Sequence, residues 1–162
     1  MNTTLMPIKF ATATSPATHV VTKETTWQQL VDKFQIPRVG GKWGPVFVPV
    51  DMPSGPRQGQ YVKAITILVF DFDNKNGDNK AIPDPLSLAE MAEVIRCKGL
   101  NSILYETHSS RPSHLRFRLL VQLAEPIPTH VYKQQAVEFA KRLGFYDYID
   151  KSCIDLVHCY FL

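Results

Sequence analysis

One apolar run constrains this chain more than any other segment: residues Ala64–Phe70, rich in β-branched side chains, lead directly into two aspartates. β-Branched residues favour strands, and the Asn/Gly cluster over 74–77 is typical of a loop, so we predict a buried strand over 64–70. Side chains alternate along a strand, which places Asp71 and Asp73 on one face. Adjacent carboxylates repel each other, and a divalent cation between them removes that repulsion. The alternative is a pair of solvated loop acids.

The composition indicates one domain with a core of its own. The chain has 162 residues, of which 44% are hydrophobic and 20% charged, and its net charge is +3. That charge is compatible with binding to nucleic acid but does not demonstrate it. No apolar stretch approaches the ~20 residues that a membrane span needs, so we expect no membrane association. Three widely spaced cysteines without a C-x-x-C pair indicate reduced thiols in a cytoplasmic protein.

Strand and helix patterns alternate along the chain, which predicts an α+β fold with a mixed or antiparallel central sheet flanked by helices. We expect a flexible N-terminal tail over 1–18 and one domain over 19–162. Thr26, Ser87 and Thr129 begin the three predicted helices, and Pro37 and Gly99 end the first two. The predicted strands cover residues 19–22, 45–50, 64–70, 102–106, 115–123 and 158–162.

A second cluster of candidate residues lies in the hairpin predicted from strands 102–106 and 115–123. The odd-numbered positions of the second strand are apolar, which places Arg116 and Arg118 on the opposite, polar face. The polar turn between the strands brings His108 and Ser110 near them. Guanidinium groups match phosphate oxygens in a planar fork, so this cluster predicts an anion site. An ordinary solvent-facing edge strand would carry the same arginines.

A third, acidic cluster near the C-terminus contains Asp147, Asp150 and Asp155. A two-metal site needs about three acidic ligands, and each of these is a candidate by composition. Taken alone, the cluster is more typical of a loop between a helix and a strand. Asp150 can join Asp71 and Asp73 if the strand at 158–162 pairs near the strand at 64–70.

The order of these three motifs resembles that of the archaeo-eukaryotic primases and primase-polymerases, and most of all their phage and plasmid replication proteins. The motifs are Ile67-Leu-Val-Phe-Asp-Phe-Asp73, the Thr-His-Ser and Arg-x-Arg elements within 105–118, and Ile149-Asp150. The resemblance spans roughly residues 26–162. It implies an RRM-like catalytic core and places the chain as the N-terminal part of a longer replication protein.

The resemblance implies a DNA-dependent nucleotidyltransferase that synthesises primers or DNA by two-metal phosphoryl transfer. Its implied cofactor is Mg²⁺ or Mn²⁺, and its implied partners are a single-stranded DNA template, nucleoside triphosphates and a replicative helicase domain or protein. The implied catalytic and metal-binding residues are Asp71, Asp73 and Asp150. The implied nucleotide-binding residues are His108, Ser110, Arg116 and Arg118.

Two other classes stay open. The middle motif lacks the Ser-x-His arrangement of the family, and Arg118 holds a strand position that is often histidine, so a DNA-binding replication module without activity is the main alternative. Residues 68–74 also imitate the nucleophile strand of haloacid-dehalogenase-like phosphatases. That strand usually lies near the chain start and is followed by threonine, whereas Asn74 and Lys75 follow here, so we rank this class last.

Overall fold

Eight strands and three α-helices alternate along the residues that the computed structural model describes, which are 7–16, 19–36, 44–75 and 80–161. In chain order they are β1 (Ile8–Ala13), β2 (Val21–Thr25), α1 (Trp27–Phe34), β3 (Val46–Val48), β4 (Val50–Asp51), β5 (Ala64–Phe72), α2 (Leu88–Lys98), β6 (Ser102–Glu106), β7 (Phe117–Pro128), α3 (Thr129–Arg142) and β8 (Tyr160–Phe161). Short 3-10 turns cover Gly59–Tyr61, Tyr146–Tyr148 and Lys151–Ile154. This content confirms the predicted α+β class. None of the described helices is long and apolar enough to cross a membrane.

The described strands form two four-stranded sheets rather than one central sheet. Their orders are β2-β1-β3-β8 and β4-β5-β7-β6. The segment predicted as one strand over 45–50 is divided between the sheets, because β3 ends before Pro49 and β4 begins after it. Proline has no N–H to donate to a ladder, so it marks a natural break between strands. The predicted hairpin is confirmed, since β6 and β7 pair antiparallel from Ser102↔Val121 to Glu106↔Phe117.

Two expectations about the chain's ends are wrong. The expected tail over 1–18 contains β1, which pairs antiparallel with both β2 and β3. Its apolar side chains, including Phe10 and Ala11, are buried, and that burial offsets the entropy of ordering this segment. Residues 1–6 and 17–18 of the expected tail lie outside the described residues. The strand near 158–162 does not pair with 64–70 either, because β8 pairs with β3.

The helix boundaries follow the capping residues seen in the sequence. The Thr26 hydroxyl accepts a hydrogen bond from the Gln29 backbone at the start of α1. Ser87 and Glu90 form the corresponding capping box of α2. At the C-terminus of α2, Gly99 takes a left-handed conformation with φ 61°, which glycine adopts without steric cost. The predicted end of α1 at Pro37 lies outside the described residues.

The chain divides into two compact units, and each has an apolar core. The first comprises the chain up to Ile67, Leu123–Thr129 and the chain from Leu156 onward. Its core includes Phe47, whose ring lies 6.0 Å from that of Phe34 and 5.4 Å from that of Tyr160.

The second unit comprises Leu68–Gln122 and His130–Asp155 and contains all of the predicted site residues. Aromatic rings from β5, β7 and α3 form much of its core. Phe72 stacks on Phe117 at 4.3 Å, and Phe70 stacks on Phe139 at 5.9 Å. Phe145 packs against Phe70 and Phe72. The end of β5, which carries Asp71, is therefore supported by large buried side chains.

Candidate functional site

Asp71 lies near the end of β5, where Arg118 of β7 holds its carboxylate at two points. Arg118 Nε donates to Asp71 Oδ1 at 2.5 Å, and Nη2 donates to Oδ2 at 3.3 Å. Arg118 Nη1 also donates to the Tyr105 hydroxyl at 2.8 Å. Tyr105 lies directly opposite Arg118 in the β6–β7 register, which explains that contact. Arg118 is only 7% exposed, so this is a largely buried charge pair with paired hydrogen bonds.

The protonation behaviour of Arg118 and Tyr105 follows from this geometry. Burial by itself lowers the pKa of the Arg118 guanidinium, but Tyr105 and Asp71 beside it outweigh burial, and the pKa is raised overall. Burial raises the pKa of the Tyr105 hydroxyl, and the charge of Arg118 partly opposes that rise. Arg118 therefore stays charged and Tyr105 stays neutral at physiological pH.

Asp73 follows β5 and lies near two cations, at longer distances than the one between Arg118 and Asp71. Arg116 Nε is 3.5 Å from Asp73 Oδ1, and Lys75 Nζ is 3.8 Å from Oδ2. Among the described residues, Arg116 Nε is buried without a hydrogen-bond partner. Arg116 thus contacts Asp73 only by charge, whereas the guanidinium of Arg118 is hydrogen-bonded on all three nitrogens. The sequence pattern predicts the same role for Arg116 and Arg118, but their environments in the structure differ.

The turn between β6 and β7 places Ser110 next to Arg116. Ser110 Oγ accepts a hydrogen bond from the Arg116 backbone at 3.2 Å, which leaves its own O–H available to donate. Arg111 donates to the carbonyls of His108 and Ser110 and so holds the turn itself. The side chain of His108 is exposed beside these residues.

His114 at the end of the same turn has a structural contact. His114 Nε2 lies 2.6 Å from the Asp73 carbonyl, which can only accept, so we assign the ring proton to Nε2. This bond ties the turn to the segment that carries Asp73.

Asp150 approaches Asp71 through the backbone, not through its carboxylate. The Asp150 backbone N–H donates to the Asp71 carbonyl at 2.8 Å, and Ile149 forms an antiparallel bridge with Phe72. The Asp150 carboxylate accepts from the Ser152 backbone at 2.9 Å and caps the 3-10 turn at Lys151–Ile154. The structure thus brings Asp150 to the end of β5 and uses its side chain as a cap.

The predicted polar face of β7 is wrong. Every residue from Phe117 to Val121 is buried, and Leu120, on the same side as Arg118 by alternation, has no exposed area. β7 lies between β5 and β6 in the sheet, and its residues are buried on both faces of the sheet. Arg118 occupies a polar position of the alternating pattern, but it is buried. Its charge is paired with Asp71 and does not face solvent.

The carboxylates of Asp71 and Asp73 are paired with cations of the chain itself. In the described parts of the chain, no group of three or more His, Cys, Asp or Glu side chains is placed to hold a metal ion. Asp71 is held at both oxygens by Arg118, and Asp73 faces Arg116 and Lys75. The repulsion between the two aspartates, which suggests a metal in the sequence, is offset here by guanidinium groups.

Asn74 is a central residue of the site that the sequence pattern does not single out. It is fully buried with φ 48°, a left-handed conformation that asparagine tolerates better than most residues. Its side-chain amide donates to the carbonyls of Leu86 and Leu115, both at 3.0 Å. Its backbone bonds to Tyr148 and Ile82. Asn74 therefore bonds to four residues in three segments around the end of β5, and an asparagine in the loop after the strand is the sequence signal of this.

The fold and the site define an α+β domain with a positively charged cluster at the end of β5, where arginines, a serine hydroxyl and a histidine adjoin two aspartates. Residues 8–161 match the family model described as the VapE N-terminal domain. The chain belongs to this family, a domain associated with phage and plasmid replication proteins. Comparison with curated proteins and with solved structures yields no match.

Proposed function

We propose that this chain is the nucleotide-binding domain of a primase-polymerase-type replication protein, where it binds the triphosphate of a nucleotide beside a single-stranded DNA template. The replication context is supported by the family. The charge of the site carries the proposal. Three cations, Arg116, Arg118 and Lys75, surround the carboxylates of Asp71 and Asp73. One net positive charge remains, and it favours an anionic ligand over a cation.

The two arginines have separate roles in this proposal. Arg118 is buried and bonded to both Asp71 and Tyr105, so it acts as a positioning residue that holds the end of β5. Arg116 is 23% exposed, and it meets Asp73 at 3.5 Å without a hydrogen bond in the described residues, so its guanidinium can turn to a phosphate without breaking a hydrogen bond. A guanidinium presents paired donors to phosphate oxygens, which favours Arg116 as the main phosphate ligand.

The turn adds two further donors to the same place. The Ser110 hydroxyl is held by the Arg116 backbone and keeps a proton to donate. The exposed His108 side chain lies in the same turn and can contribute a second donor. Together with Arg116 these groups form a phosphate site of mixed charge and hydrogen bonding.

The test is nucleoside triphosphate binding measured by isothermal titration calorimetry. Arg116→Ala should lower the affinity about tenfold or more, because a charge-assisted hydrogen bond contributes about 1.5–3 kcal/mol and 1.4 kcal/mol is a factor of ten. Arg96→Ala, which removes an exposed guanidinium from α2, is the matched control and should bind like the wild type. Equal affinity of the wild type and Arg116→Ala would refute the assignment.

Nucleotidyl transfer on DNA is a second candidate function. The observation in its favour is the backbone bond between Asp150 and Asp71, which brings a third acidic residue to the end of β5. This candidate includes Mg²⁺ or Mn²⁺ as cofactor, a helicase domain or protein as partner and a cytoplasmic location, all as proposals. The present pairing of the carboxylates with arginines favours the binding function over it.

Primer synthesis on single-stranded DNA, with Mg²⁺ or Mn²⁺ supplied, separates the two candidates. If the domain is an enzyme, Asp73→Asn should abolish synthesis, and Asp84→Asn, an exposed control on a loop, should not. Asp73 is the better probe because Asp71 is tied to Arg118 and its loss would also disturb folding. If the wild type binds triphosphate but synthesises no primer, the result supports the binding function and contradicts the enzymatic one.

A further inference from the structure

A groove lies at the C-terminal ends of α2 and α3, and its lining shares no residue with the proposed phosphate site at the end of β5. Its volume is about 430 Å³. Lys98 from α2 and Lys141 and Arg142 from α3 line it. The last turns of both helices thus direct cations to one place in the second unit.

The positive charge of this groove is not neutralised by neighbouring acids. Within the described residues, none of Lys98, Lys141 and Arg142 forms an ion pair with a carboxylate. The one acid in the lining, Glu93, is paired with Arg96 on the same helix. Each helix C-terminus carries roughly half a negative charge, so the two ends offset only about one of the three cations. About two positive charges remain.

An aromatic ring extends the surface beyond the groove. Lys141 Nζ lies 5.2 Å from the centre of the Tyr146 ring, and Lys151 Nζ lies 3.7 Å from the same centre. Burial lowers the pKa of Lys151, and Asp147 and Asp150 oppose that shift, so Lys151 is not counted among the groove cations. Cations alternating with an aromatic ring are typical of surfaces that bind single-stranded nucleic acid.

We propose that this groove binds the phosphodiester backbone of single-stranded DNA, with Lys98, Lys141 and Arg142 as phosphate ligands. The site is separate from the cluster at the end of β5 and does not depend on triphosphate binding there. Lysine and arginine contacts to phosphates release counterions, so binding here weakens with salt. Phosphate contacts carry no sequence information and stacking of bases on aromatic rings tolerates any sequence, so the groove should bind DNA without sequence preference.

The experiment measures fluorescence anisotropy of a labelled oligothymidylate between about 50 and 200 mM salt. The double variant Lys98→Glu, Arg142→Glu should bind at least about tenfold more weakly, and the slope of log affinity against log salt should fall by about 1.4, because each neutralised phosphate of a single strand accounts for about 0.7. The control Lys33→Glu, Lys133→Glu makes the same change in net charge at exposed helix positions outside the groove. It should weaken binding less than about threefold, as a general charge effect does.

The outcomes separate this site from the proposed function. Weaker oligothymidylate binding with unchanged triphosphate binding supports the groove. Equally weakened binding in the two double variants would overturn it, because the effect would then be one of net charge. Unchanged DNA binding in the groove variant would also overturn it, and an acidic protein segment would become the better candidate ligand. The milder variant Lys98→Gln, Arg142→Gln repeats the test if charge reversal disturbs folding.

Discussion

Single residues at the end of β5 decide what this site can do. Arg118 and Arg116 are two positions apart, yet one is a buried partner of Asp71 and the other has an unbonded Nε near Asp73. Asn74 has a left-handed backbone conformation and bonds to four residues in three segments. The chemistry of the site therefore depends on how each side chain is held, and not only on which side chains are present.

Asn74→Asp should lower the free energy of unfolding by about 2–4 kcal/mol. The change keeps the size of the side chain and its tolerance of positive φ, but it removes both N–H donors and leaves the Leu86 and Leu115 carbonyls without a partner. Asn101→Asp, at an exposed amide that bonds to Gln122, is the control and should cost less than about 1 kcal/mol. Urea unfolding followed by circular dichroism measures both, and equal small decreases would contradict the role of Asn74.

Arg118→Lys should lower the free energy of unfolding by about 2 kcal/mol, although the charge is kept. Lysine cannot reproduce the two-point contact with Asp71 and the bond to Tyr105 at once. Arg96→Lys, at an exposed ion pair, should change stability by less than about 0.5 kcal/mol. A variant that is as stable as the wild type but binds triphosphate more weakly would instead make Arg118 a direct phosphate ligand.

At the scale of elements, capping residues in the sequence predict correctly where helices begin and end. The alternation of side chains does not predict which strand faces are buried. The caps at Thr26 and Ser87 and the glycine at 99 set the ends of α1 and α2 as the sequence predicts. The burial of β7 differs from the prediction because it is a central strand covered on both faces. Capping is a local interaction, whereas burial depends on neighbours that are distant in sequence.

Ser87→Ala should destabilise the protein by about 0.5–2 kcal/mol through the start of α2. The substitution removes the hydroxyl that accepts from the Glu90 backbone, and with it one half of the capping box. Ser113→Ala, in the exposed turn between β6 and β7, should stay within about 0.5 kcal/mol of the wild type. Thermal unfolding of both variants tests this, and a similar melting temperature for Ser87→Ala and the wild type would show that packing alone starts α2.

For the whole molecule, a buried thiol and two buried tyrosine hydroxyls make the free energy of unfolding depend on pH in the alkaline range. Burial raises the pKa of the Cys153 thiol from 9.0 to about 12, and burial also raises the pKa values of Tyr132 and Tyr105. These groups lose their protons at lower pH in the unfolded chain than in the folded one. The unfolded state therefore binds fewer protons above pH 9, and stability falls as pH rises.

The free energy of unfolding should accordingly decrease between about pH 9 and 12, by at most about 1.4 kcal/mol per pH unit for each such group. Cys153→Ala should be less stable than the wild type at pH 7, because a buried side chain is shortened. The difference between the two proteins should narrow as the pH rises, since only the wild type must keep this thiol protonated in order to fold. Urea unfolding at several pH values measures it, and a constant difference would contradict the effect of Cys153.

The sequence by itself determined the local features of this protein. The α+β class, the strand that carries Asp71, the hairpin of β6 and β7 and the capped helices all follow from periodicity, turn residues and caps, which act over a few residues. The hairpin pattern also places Arg118 on a strand paired with the one that carries Tyr105.

Only the tertiary structure decided which of those charges pair with one another. Arg118 is 47 residues from Asp71 along the chain, and their contact depends on β7 lying beside β5. The same holds for β1, which is ordered by pairing with β2 and β3, and for β8, which pairs with β3. Carboxylates that suggest a metal site in the sequence became partners of arginines, because in a partly buried site the nearest opposite charge offsets their repulsion.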